Sequence, residues 1–203
     1  VAVAIAAAPA LSGAGCGSAA LSASAEERAT KSVALYKQGV AEFNDGKIDE
    51  AIANLKKANE LQPGYTLLRY DLARMLLHRA QVTDTASIRA SADAKELRQA
   101  DQHEKAKQKE DEAQNLFRRA VGDFREARDL LIWVADQRPV YEANVYYFLA
   151  KAYTGLGEFK LALKNLDTAI ELGQPTGKDR ENLLIVRERL LQAQAQEERL
   201  GKR

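Results

Sequence analysis

The sequence predicts an all-α protein: a short solenoid of about three helix–turn–helix units, a long charged helix projecting from it, and a C-terminal capping helix. Three observations predict it. The same pattern of small and apolar residues occurs twice, over 35–63 and 146–175. No stretch alternates apolar and polar residues with the period of a strand. Apolar residues make up 46% of the 203-residue chain, and alanine supplies much of that share, as closely packed helices prefer. A chain of this length suits one domain, with or without a tail.

The first unit has a helix from about Thr30 to Asn44, a turn at Asp45-Gly46-Lys47, and a second helix from Asp49 to Leu61. Gly46 suits the turn because it takes a positive φ without steric cost. Asp49 is the expected cap and Pro63 the stop. Ala51 and Ala58 let the helices approach, and Leu35, Ile52 and Leu55 fill the space between them. A second unit starts near Thr66, with Leu72, Ala73, Leu76 and Leu77 in register. After His78 the register fails, and 81–112 is almost wholly polar, with Ile88 and Leu97 among its few large apolar residues.

An apolar stripe resumes at Leu116, Phe117, Ala120, Val121, Phe124, Ala127, Leu131 and Val134. Residues 113–138 therefore read as the second helix of that unit, displaced by a charged insertion at about 83–112. Two shapes are open for the insertion: one helix projecting into solvent, or a solvated loop. Its Ala, Lys, Glu, Gln and Arg content, with no Gly or Pro between Thr83 and Val121, favours the helix. Such a helix is expected to have nothing to bury. The third unit, 140–175, turns at Gly157, with Ala162 and Ala169 at its close-packing positions. Residues 178–203 then form the cap, with Leu183, Leu184, Val186, Leu190 and Leu191 to bury.

Leu35, Gly39, Gly46, Ala51, Leu55 and Ala58 in the first copy correspond to Tyr146, Ala150, Gly157, Ala162, Leu166 and Ala169 in the other, where Leu149 and Tyr153 hold further pattern positions and Pro175 answers Pro63 one place late. This pattern resembles the tetratricopeptide repeat, a unit of about 34 residues. The resemblance covers 31–175 and implies a non-catalytic scaffold that binds a protein or peptide. In that family a concave groove is lined by set positions of each first helix. Carried over, they are Tyr36, Lys37, Val40 and Asn44; Tyr70, Asp71, Arg74 and His78; and Asn144, Tyr147, Phe148 and Lys151. A tyrosine recurs at one offset, at Tyr36, Tyr70 and Tyr147. These rings either serve recognition of an extended or helical peptide or fill helix–helix contacts; both readings stand at this point. Some members clamp a partner's terminal carboxylate with Lys and Asn. Tyr36, Val40 and Asp71 stand at the matching places, so that clamp is not expected.

The N-terminal part suggests an address. Val1 to Leu11 is an apolar run, followed by Ser12-Gly13-Ala14-Gly15-Cys16. That order resembles the end of a bacterial lipoprotein signal, with Cys16 the residue to be lipidated. It departs from the pattern at Gly13, where leucine is usual, and in having no basic residues before the run. Ordinary cleavage after Ala23-Ser24-Ala25 and an unprocessed tail are the competing readings. With lipid at Cys16, residues 17–30 become a flexible stalk, and the body is expected at the periplasmic face of an envelope membrane, that of the outer membrane.

Thirty basic against 29 acidic residues give a formal charge of +1, which does not suit a nucleic-acid binder. One cysteine excludes an internal disulfide framework. His78 and His103 lie in different segments, so no metal site is expected from them, and no catalytic motif or cofactor loop is visible. The reading is therefore an adaptor that helps assemble a bacterial envelope complex. Self-assembly through the projecting helix is the alternative, and a regulatory subunit of an enzyme is a third.

Overall fold

The computed structural model describes residues 15–173 and 178–200, with side chains left undescribed at 15–23, 178–180 and 182. Within them are seven helices: α1 (Gly15–Asn44), α2 (Ile48–Leu61), α3 (Thr66–Gln99), α4 (His103–Asp136), α5 (Glu142–Gly155), α6 (Phe159–Glu171) and α7 (Lys178–Leu200). No strand occurs among the described residues. α1 pairs with α2, α3 with α4, and α5 with α6, while α7 lies against α6.

The turns of the two clear repeats are built alike. Gly46 and Gly157 have φ of 79° and 74°. Around Gly46 the Lys47 and Gly46 amides donate to the carbonyls of Glu42 (2.8 Å) and Phe43 (3.0 Å). Around Gly157 the Glu158 and Gly157 amides donate to Tyr153 (2.9 Å) and Thr154 (3.0 Å). Each pair closes the preceding helix with its last carbonyls satisfied and sends the chain back antiparallel. Close approach follows from small residues: a Cβ on Gly39 would collide with Leu55, and one on Gly155 with the Phe124 ring.

The main core joins α1 to α5, with Leu55, Leu72, Leu76, Leu77, Leu131, Val134 and Val145 almost wholly shielded from water. The second unit therefore starts at Thr66 as expected, with all four of its expected apolar residues buried. A smaller cluster joins α5, α6 and α7 through Ala150, Leu163, Leu166, Leu183 and Leu190. Only Leu183 and Leu190 of the expected cap residues are buried. Leu184 and Leu191 are exposed because they lie off the line that a seven-residue spacing draws along one helix face, and Val186 is exposed as well.

The insertion is helical, as its composition favours, but it forms two helices rather than one projecting helix. α3 runs on to Gln99, the chain reverses, and α4 runs back from His103, so the charged segment is an antiparallel helical hairpin. Its interior is a seam of small residues: Ala80, Thr83, Ser87, Ala90 and Ala94 on α3 face Ala106, Ala113 and Ala120 on α4. Residues at alternating spacings of three and four, and at sevens, make one stripe on each helix. Because the side chains are short, the backbones meet closely, and the Ser87 hydroxyl donates to the Ala113 carbonyl at 2.8 Å. The expectation that this segment has nothing to bury was wrong in counting only large apolar residues. The reversal was hidden because it uses no glycine. Asp101 takes φ 63°, with the Gln102 amide donating to the Leu97 carbonyl at 2.9 Å, the same closure as at Gly46.

Two further differences concern the first unit. α1 begins at Gly15 rather than near Thr30, so the stretch expected as a flexible stalk, 17–30, is helical backbone. Ala, Ser, Glu and Arg, with no Gly or Pro from 18 to 30, allow that continuation. Asp49 makes no capping hydrogen bond. Its carboxylate instead accepts from Arg79 at 2.6 Å and Arg119 at 2.7 Å, which lower its pKa.

Arg79 also donates twice to Asp123, at 2.7 Å each from Nε and Nη2. Asp123 is buried at the base of the hairpin, inside the apolar stripe. Removing one partner leaves a desolvated charge, so Asp123→Ala is expected to destabilise the chain by about 3 kcal/mol in urea unfolding. A loss under about 1 kcal/mol would show that the pair is not a structural tie.

Candidate functional site

The first helices of the three units, α1, α3 and α5, bring most of the candidate residues together. The Tyr36 hydroxyl donates to Asp71 Oδ2 at 2.7 Å, and Arg74 donates to Oδ1 at 3.0 Å. Burial, and then the bond to Asp71, push the Tyr36 hydroxyl well above its usual pKa, so it remains a donor at all ordinary pH. Arg74 also stands 5.6 Å from the ring centroids of both Tyr70 and Phe148, while Lys151 stands 5.7 Å from those of Tyr147 and Phe148. Two cations thus flank one phenylalanine, within the range where a cation is drawn to a ring face.

The three repeat-related tyrosines have different fates. Tyr70 is only 8% exposed and belongs to the core, its ring 4.6 Å from Tyr141 and 5.8 Å from Phe148. It fills a helix–helix contact. Tyr36 is half-buried, edge-on to Tyr65 at 5.9 Å. Tyr147 is half-buried against Phe148 and beside the α5–α6–α7 cluster. The surface that remains consists of exposed Lys37, Asn44, Arg74 and His78, with Val40, Asp71, Asn144, Phe148 and Lys151 partly exposed between them.

Between α1 and α3 this face opens into a cleft of about 170 Å³, lined by Val40, Phe43, Asn44, Asp71, Arg74 and Met75. Phe43 meets His78 edge-on at 5.5 Å. Phe43, Tyr65 and Tyr141 escaped the sequence reading. The last two each stand one residue before a first helix, a shared position that could have flagged them. Asp71 is held between Tyr36 and Arg74.

His78 and His103 remain apart: His78 lies against Phe43, and His103 pairs with Asp101 at the hairpin tip, 3.0 Å away. Among the described residues no group of three His, Cys, Asp or Glu could hold a metal ion. No helix among them is long and apolar enough to cross a membrane. The lipidation expectation falls on Cys16, whose backbone lies in α1 but whose side chain, like residues 1–14, is outside the described residues.

Paired antiparallel helices stacked in sequence, capped at one end and bearing a mixed polar and aromatic face, define a helical-repeat scaffold. The Tetratricopeptide repeat family model matches residues 32–65 and 143–172, so in these two stretches the chain is similar to that family. No curated protein matches the chain. The two matched stretches hold the C-terminal part of α1 with α2, and α5 with α6; the α3–α4 hairpin lies between them.

Lys151 tests the face energetically. Burial lowers its pKa, and no ion pair compensates it among the described residues. A lowered lysine pKa means that the charged form weakens folding at pH values below the unfolded pKa, a penalty relieved as pH rises through the folded value. Lys151→Met is therefore expected to hold or raise stability at pH 7, by up to about 1 kcal/mol in denaturant unfolding. A fall of that size would mean that contacts with Tyr147 and Phe148 outweigh desolvation.

Proposed function

We propose that this protein is a non-catalytic adaptor whose α1–α3–α5 face receives a segment of a partner protein, and that lipid at Cys16 tethers it to a bacterial envelope membrane. The observation that carries the first part is the Arg74–Phe148–Lys151 arrangement. It offers two cations and an aromatic ring on one partly exposed surface, beside the Phe43 cleft. An extended or helical peptide with an acidic residue would set its carboxylate near Arg74 and Lys151 and its apolar side chains on Phe148 and Val40. Lys151 would regain on binding the counter-charge that it lacks in the free protein.

The second part rests on the apolar run Val1 to Leu11 and the small residues before Cys16. Two acyl chains and a polar body would place the repeats at the periplasmic face, that of the outer membrane, without a spanning helix. There the face would hold a component of a larger envelope assembly in place.

A photo-crosslinking residue at Asn44, with and without Arg74→Glu and Lys151→Glu, tests the face, since all three positions border it. Crosslinks that fall at least about tenfold in a variant of unchanged helicity support it, and equal yields refute it. Radiolabelled palmitate incorporation in intact chain and Cys16→Ser tests the tether independently. Label in the intact chain alone supports lipidation, and none in either refutes it.

A further inference from the structure

The hairpin carries a cleft of its own, lined by residues of α3 and α4 alone. It is a trough of about 690 Å³ along one side of the α3–α4 seam, lined by Asp84, Ser87, Ile88, Ser91, Glu110, Ala113, Gln114 and Phe117. We propose that this trough is a docking site for an amphipathic helix of a partner protein, one with an apolar stripe flanked by lysine or arginine.

Depth and shape come from the seam. Short side chains at Ser87 and Ala113 let α3 and α4 meet closely, so the space beside their contact is open down to the backbone. Two antiparallel helices in that arrangement leave a channel that a third helix fills with side chains at successive turns. The apolar anchors stand on its two walls: Ile88 on α3 is 65% exposed and Phe117 on α4 is 52% exposed. Both belong to a segment that packs on nothing but itself, since the main core reaches the hairpin only as far as Ala80 and Ala120. Beyond Ala80, α3 continues for about 28 Å at 1.5 Å per residue, room for five turns of a docked helix.

Charge selects the occupant. The lining includes two carboxylates, Asp84 and Glu110, and no basic residue. Arg98 pairs with Glu110 at 2.6 Å, whereas Asp84 has no ion-pair partner among the described residues. A second copy docking symmetrically would present the same acidic trough to itself, setting carboxylates against carboxylates. A helix with basic flanks meets Asp84 instead and lays its apolar stripe on Ile88 and Phe117. This site is separate from the α1–α3–α5 face and stands or falls independently of it.

The test uses the full chain and two labelled 18-residue peptides with the same apolar stripe, one flanked by lysines and one by glutamates. Fluorescence anisotropy is expected to give the lysine peptide an affinity at least about tenfold higher. Ile88→Ser and Phe117→Ser, both exposed and therefore compatible with folding, should each weaken it by at least about tenfold. Arg74→Glu, on the other face, should leave it unchanged. Equal binding of the two peptides, or binding indifferent to Ile88→Ser and Phe117→Ser, would overturn the proposal. So would a dimer in light scattering that Phe117→Ser dissolves, which would assign the trough to a second copy.

Discussion

The register between α3 and α4 is the constraint on which the rest of this structure depends. The helix pairs on either side bury leucines such as Leu55 and Leu166. The hairpin between them has no leucine layer along its outer half. It is held by alanine, serine and threonine meeting at short range, by the Ser87 hydroxyl on the Ala113 carbonyl, and by Arg79 clasping Asp123 and Asp49 at the base. Short side chains contribute little transfer free energy each, so the seam is stable only where the backbones come close over many turns. The Arg79 clasp fixes where along the helices that approach begins, and it ties α2, α3 and α4 together at one point.

That arrangement lets one chain present two different surfaces. Over the inner half of α3, its large apolar residues face the core, and the Arg74 side of the helix completes a surface with α1 and α5. Over the outer half, the same helix has exchanged leucines for small residues and turns Ile88 outward. The change occurs within two turns, between Leu77 and Thr83. A helix pair has thereby been lengthened without disturbing its neighbours, because the start of α3 and the end of α4 still pack into the main core.

Much of this was legible in the sequence. The repeat pattern located α1 with α2 and α5 with α6, and Thr66 was read correctly as the start of α3. Ala106, Ala113, Ala120 and Ala127 fall at strict sevens, so the seam was written in the chain as well. It was passed over because large apolar residues are the usual sign of a buried stripe. The reversal at Asp101 escaped for a different reason: aspartate tolerates a left-handed conformation less readily than glycine, and nothing else in 99–103 marks a turn. Of the candidate face, residue positions could be carried over, but side-chain partners could not. That Tyr70 fills the core while Tyr36 and Tyr147 stay half-exposed depends on Tyr141 and Phe148, from a helix some seventy residues away. Asp123 interrupts an apolar stripe in the sequence, and its burial as the partner of Arg79 depends on a residue of another helix.

The most direct test of this account is a disulfide across the seam, with Cys16 replaced by serine and cysteines placed at Ser87 and Ala113. The hairpin predicts rapid intramolecular oxidation at low protein concentration with helicity retained, since the Ser87 hydroxyl lies 2.8 Å from the Ala113 carbonyl. One continuous helix would hold those positions about 39 Å apart, at 1.5 Å for each of 26 residues. Failure to oxidise within the chain, or crosslinks only between chains, would contradict the hairpin and everything built on its seam.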